Sequence, residues 1–209
     1  MEWYETEAPH WLGPAWEEAA MLWIDAALLE AGRRRTSPLT RVHVRVWSAV
    51  FRAETSAGDV YFKSAPPGMD FEPALLQHLD ARGVDGLRLV AIDTQRNWML
   101  TLAEAVTARQ LHGNTAEGLL LWQQFLTRYA RLQLQLAPDA DDLVRAGVPD
   151  MRLDQLPEQF DLLVQCGHLH CGDDGLRGPE IERLASLRPQ VVALCAQLAE
   201  ANIPETLQH

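Results

Sequence analysis

The chain has 209 residues, 47% of them hydrophobic, and a formal net charge of -11. That is room for one large domain or two small lobes around an ordinary core, and the acidic balance argues against nucleic acid as a partner, because phosphate contacts need clustered Lys and Arg. No apolar run approaches the roughly 20 residues of a membrane span. The acidic start Met1-Glu-Trp-Tyr-Glu-Thr-Glu lacks the basic end of a signal peptide, and three cysteines without framework spacing fit a reduced, cytoplasmic chain.

Residues 14–31 read as a helix: Pro14 suits the first turn, Glu17 and Glu18 sit near the positive end of the dipole, and Gly32 is the stop. Trp16, Ala19, Ala20, Trp23, Ala27 and Leu28 form its apolar face, and with Trp3 and Trp11 upstream this segment is expected to dock on the rest of the chain. Arg33-Arg34-Arg35 reads as a cationic helix end ahead of Pro38. From Thr40 the period changes to two, with Val42, Val44 and Val46 alternating against Arg41, His43 and Arg45. Trp47-Ser48 interrupts, residues 49–55 resume, Ser56-Ala57-Gly58-Asp59 turns, and residues 59–64 are the next strand. Ala65-Pro66-Pro67-Gly68 breaks the sheet, and helical spacing then runs from Asp70 to about Arg82, stopped by Gly83. Residues 87–93 and 98–102 are two more strands across a polar turn. Three strands, a helix and two strands make an α+β layer.

After Ala103 the pattern is helical. Residues 118–136 carry Leu121, Phe125, Tyr129, Leu132 and Leu136, expected to be a long buried stripe. Residues 139–156 read as short helical pieces broken at Gly147-Val-Pro149, and 157–166 as a helix begun by Pro157. A glycine-rich loop over 167–178 precedes a last helix, 179–200. Its face of Ile181, Leu184, Leu187, Val191, Leu194 and Leu198 is expected to bury against 118–136, and its interior Pro189 predicts a kink or a broken start. The chain divides into an N-terminal helical segment (1–38), a sheet lobe (39–103) and a partial helical lobe (104–209).

Two constellations carry chemistry. Lys63 lies in an alternating strand, and Glu72 follows nine residues later at the head of a helical run. Either alone reads as a surface charge; together, a strand lysine that reaches a helix glutamate is how kinase-type enzymes hold ATP phosphates. The rival is Cys166-Gly-His-Leu-His-Cys171 with Asp173 and Asp174 behind it. Structural zinc draws its ligand pairs from two separated segments, so a helix end running into a loop explains this run without metal. His10, His43, His78 and His112 have no carboxylate at a telling spacing, and Asp139, Asp141 and Asp142 read as an acidic helix start.

The ordered set Arg45-Val-Trp-Ser-Ala-Val-Phe-Arg52, Tyr61-Phe-Lys63, Phe71-Glu72 and Asn97-Trp-Met-Leu100 resembles the aminoglycoside phosphotransferase family. Ala146-Gly-Val-Pro-Asp150 and Ile203-Pro-Glu-Thr-Leu-Gln-His209 look like stretches of its bacterial members, so the likeness runs from about residue 40 onward. It implies a protein-kinase-like fold, an N-terminal antiparallel five-stranded sheet lobe with one helix and then a helical lobe. It implies transfer of the ATP γ-phosphoryl group to a hydroxyl of a small-molecule substrate. In that likeness Lys63 holds the α- and β-phosphates, Glu72 orients Lys63, and the Ser48 hydroxyl belongs to the loop over the phosphates. Leu100 lines the back of the adenine pocket, while the Thr101 carbonyl and the Ala103 N–H bind adenine at a hinge that ends at Glu104.

Two departures stand out. The phosphate loop has no glycine, with Trp47 and Ser48 at its tip, and Ala103-Glu104-Ala105-Val106 replaces the acidic-Gly pattern after the hinge. His209 matches the histidine that opens the family's catalytic loop, His-x-Asp and an Asn further on. The aspartate base and the Mg²⁺ ligands therefore fall beyond the last residue. The resemblance thus implies a fragment: weak ATP binding, no transfer by this chain alone, and an apolar face through which copies could pair. The alternative reading is a non-catalytic half-kinase module that binds nucleotide or a partner.

Overall fold

A computed structural model of the chain describes residues 13–45, 47–66, 71–84, 86–103, 113, 115–166, 169 and 175–208. Trp3, Trp11, His10 and His112 lie outside these residues, as do His168, His170, Cys171, Asp173 and Asp174 of the candidate metal run. The chain runs through helix α1 (Pro14–Glu30), strands β1 (Thr40–Arg45), β2 (Ser48–Ala53) and β3 (Val60–Ser64), helix α2 (Glu72–Ala81), and strands β4 (Leu89–Asp93) and β5 (Trp98–Leu102). Helix α3 (Ala116–Leu136), a 3₁₀ turn (Ala137–Asp139), α4 (Ala140–Arg145), α5 (Leu156–Gln165), α6 (Gly178–Ala185) and α7 (Arg188–Glu200) follow. The class is α+β.

The five strands form one sheet in the order β1-β2-β3-β5-β4, with every neighbouring pair antiparallel. Successive side chains on a strand face opposite sides, and cross-strand partners share a side. Along β3, Val60, Phe62 and Ser64 are buried while Tyr61 and Lys63 are partly exposed. The register Phe51–Phe62–Leu100 and Ala49–Ser64–Trp98 carries the buried side across the sheet. Against it lies α1, whose Ala20, Ile24, Ala27 and Leu28 complete a single core with Phe51, Phe62, Trp98 and Leu100. Trp16, Trp23, Phe51, Phe62 and Trp98 meet there at tilted or edge angles, such as 5.7 Å between the Phe62 and Trp98 centroids. Each such aromatic pair adds about 0.5–1.5 kcal/mol beyond its buried area. The helix therefore docks as its tryptophans imply, on one core shared across the boundary at residues 38 and 39. Its face is rotated from the expected one: Ala19 is exposed and Ile24 is fully buried.

Gly32 adopts φ 71°, and the N–H groups of Gly32 and Arg33 donate to the Leu29 and Leu28 carbonyls at 3.0 and 2.8 Å, closing α1 in the usual left-handed cap. The arginine run does more than face a dipole. Arg35 donates to both Asp25 carboxylate oxygens at 2.8 and 2.6 Å, and Arg33 donates to the Ala57 carbonyl, so the run ties α1 to the β2–β3 turn.

In the helical half the expected interruption at Pro189 is a full break: α6 ends at Ala185 and α7 begins at Arg188, because Pro189 cannot continue a helix from the turn before it. The break splits the expected apolar stripe. α7 packs chiefly against α5 rather than α3, and Leu194 stays 57% exposed. The α3 stripe is buried only toward its C-terminal end: Leu136 is fully covered, Tyr129 and Leu132 partly, and Phe125 is open. At that end the Gln133 amide donates to the Leu207 carbonyl at 3.1 Å and the Thr206 hydroxyl donates to the Gln133 carbonyl. Arg152 reaches Asp141, Asp150 and Glu205 at 2.9, 2.6 and 3.5 Å, fixing the last described segment beside α4.

Candidate functional site

Lys63 stands on β3 on the sheet face away from α1, and Glu72 is the first residue of α2. The Lys63 ammonium donates to Glu72 Oε2. Both side chains are about one-third exposed, at 34% and 33%. Three local causes bring them together. Pairing with β2 and β5 fixes which side of the sheet Lys63 occupies. Pro73 sets the start of α2, and a carboxylate at that start also meets the positive end of the helix dipole. A half-open pair of this kind contributes only about 0–1 kcal/mol to stability.

The neighbours of Lys63 follow from register. Val50 and Met99 are its direct cross-strand partners, and beyond them His43 opposes Val50 and Ile92 opposes Met99. This row crosses the whole sheet on one face. Met99 is 2% exposed and is the β5 side chain beside Lys63. Leu100, expected behind the adenine pocket, is one residue out of phase: it pairs with Phe62 and is buried under α1. The strand period carries that signal, since a shift of one residue moves a side chain to the other face.

Two further candidates already make bonds of their own. Ser48 is buried, at 3% exposure, and its hydroxyl lies 3.1 Å from His43 Nε2. The Ala103 N–H donates to the Asp59 carbonyl at 2.8 Å, because the chain beyond β5 keeps pairing with the turn before β3. Thr101 sits inside β5 opposite both Tyr61 and Leu89. Glu104 and His209 lie outside the described residues.

Sequence reasoning missed a buried polar cluster behind α2. Asp139, 3% exposed, accepts hydrogen bonds from Arg82 and from His78 Nε2, the latter at 3.2 Å. Its partners are 57 and 61 residues away in sequence, so no local spacing announces them. The same helix is held by the Gln135 amide on the Arg82 carbonyl at 3.4 Å, and the Phe71 Cβ lies 3.7 Å from where a side chain on Gly147 would begin. α2 is thus clamped at its head to the sheet through Glu72 and at its tail to the helical half through Asp139.

The arrangement offers an oriented ammonium on a partly apolar sheet face, a group suited to phosphate oxygens. Two open cavities, of about 470 and 420 Å³, lie elsewhere, one at Asp25, Leu29 and residues 33–38 and one at Asp80, Val84, Leu87 and Arg88. Among the described residues, no three His, Cys, Asp or Glu side chains gather as a metal site, and no helix is long and apolar enough to cross a membrane. A scan against protein-family models, a search of curated proteins and a search of solved structures each return no match to this chain.

Proposed function

We propose that this chain is the nucleotide-holding part of an ATP-dependent small-molecule kinase of the aminoglycoside phosphotransferase type, with a protein-kinase-like fold. The observation that carries the reading is the Lys63–Glu72 pair joining β3 of a five-stranded antiparallel sheet to helix α2, which lies between β3 and β4. In this reading Lys63 contacts the α- and β-phosphates, and Glu72 keeps the ammonium from swinging away. Met99 rather than Leu100 is the β5 side chain on that face, and Thr101 lies two residues further along it. Ser48 contributes indirectly, by fixing His43 on the same sheet face.

ATP fits the ammonium chemically. The Mg²⁺ that the likeness implies finds no gathered donor set among the described residues. The role supported is phosphate positioning, and the acceptor is a small-molecule hydroxyl by resemblance only. A non-catalytic nucleotide- or partner-binding module is the second reading, favoured by the open apolar face of α3. Competition distinguishes phosphate recognition from generic aromatic binding: inorganic triphosphate should displace ATP from the chain, and adenosine alone should bind more weakly than ATP. Equal affinity for adenosine and ATP would remove Lys63 from its assigned role.

A further inference from the structure

The N-terminal half of α3 presents a neutral apolar strip. Leu119, Trp122, Phe125 and Leu126 are 63, 50, 57 and 58% exposed. At 3.6 residues per turn they share one arc of about 120°. Trp122 and Phe125 pack edge to face on each other, with centroids 5.8 Å apart, so the two largest side chains form one aromatic patch. Exposed aromatics of this kind are the commonest energetic centres of interfaces.

We propose that this strip is the contact between two copies of the chain, packed as an antiparallel helix pair about a two-fold axis. Three observations favour a second copy over another occupant. First, charge: residues 118–127 contain no ionisable side chain, in a chain of net charge -11. Two such chains repel over most of their surface and meet at least cost where the charge is absent. Second, register: an axis passing between Trp122 and Gln123 brings Leu119 of one copy onto Leu126 of the other and sets Trp122 against Gln123, so the same neutral patch serves both copies, as an isologous contact requires. Third, area: four half-exposed side chains of this size leave about 450 Å² per copy, or about 900 Å² for a pair. The exposed Gln123 and Ala130 beside them bring the total past the roughly 1,000 Å² at which specific interfaces begin. The inference stands independently of the nucleotide reading, since no residue of the strip belongs to the Lys63 site.

Sedimentation of the full chain across roughly 1–100 μM tests it. The expected result is a reversible monomer–dimer equilibrium that Trp122→Glu and Leu126→Glu each weaken by about thirtyfold or more, the factor a central interface side chain carries. Leu22→Glu, on an exposed part of α1, should leave the equilibrium unchanged. Because these positions are exposed, the variants should keep the wild-type circular dichroism and, at concentrations where the wild type is monomeric, its melting temperature. A chain that stays monomeric over the whole range overturns the proposal, and the strip then belongs to a different partner. A dimer that ignores both strip variants overturns it equally.

Discussion

Asp139 gives the sharpest test of how α2 is held. Replacing it with asparagine keeps the side chain's shape and removes its charge. The carboxylate is buried, and it accepts from Arg82, itself about half exposed, and from His78. Asparagine keeps one acceptor oxygen for Arg82 and sets an NH2 group against His78 Nε2, so one bond weakens and the other is lost or must reverse its direction; with hydrogen bonds to charged groups at about 1.5–3 kcal/mol and neutral ones at about 0.5–1.5 kcal/mol, the loss is about 2 kcal/mol. Arg82 regains water at its exposed side, which lowers the net loss to about 1–2 kcal/mol. For a chain of this length each kcal/mol moves the melting temperature by about 2–4 °C, so Asp139→Asn should melt about 2–8 °C lower. Differential scanning calorimetry of Asp139→Asn, Arg82→Ala and the double variant reads both the loss and the coupling. The double variant should lose less than the sum of the singles, because both remove the same bond. An unchanged melting temperature, or strictly additive losses, would refute the clamp.

Burial separates two leucines of similar appearance in the sequence. Leu28, fully buried against the sheet, should cost about 2–5 kcal/mol on replacement by alanine, whereas Leu194, 57% exposed, should cost well under about 1 kcal/mol; equal losses in denaturant titrations would mean the α7 face is covered. Asp150 gives a pH dependence. Its hydrogen bond from Arg152 holds the carboxyl below the ordinary aspartate value. A depressed folded value means the contribution is complete above the unfolded-state pKa, roughly 4, and is lost as pH falls through the folded value. Arg152→Gln should therefore make the acid limb of the stability curve shallower, and an identical limb in both proteins would contradict the assignment.

Much of the sheet half was legible in the sequence because its signals are local. Alternation from Thr40, the turn at Ser56–Asp59, the Pro-rich break and the Gly83 stop each act over a few residues, and the strands and α2 formed there within one or two positions. The Lys63–Glu72 pair was legible for the same reason, being nine residues apart on adjoining elements. The side of β5 was harder to read: Leu100 and Met99 are equally apolar, and only the register places Met99 beside Lys63. Occupied bonds were also invisible, since nothing near Ser48 or Ala103 in sequence reveals that His43 and Asp59 already hold them. The helical half was less legible, because an apolar stripe shows that a face wants burial without showing against what. The α3 stripe and the α7 face each carried that signal and each stayed partly open.

In the proposed function Lys63, held by Glu72, receives nucleotide phosphate. Calorimetric titration of the folded chain with ATP, with and without Mg²⁺, reads that binding. Weak saturable binding is expected, with a dissociation constant of about 1 mM, or about -4 kcal/mol. Lys63→Ala should abolish the binding, Glu72→Gln should weaken it, and Arg183→Ala, an exposed change on α6, should leave it unchanged. Binding that survives Lys63→Ala undiminished, or no ATP binding by folded wild-type protein at several millimolar, would contradict the claim.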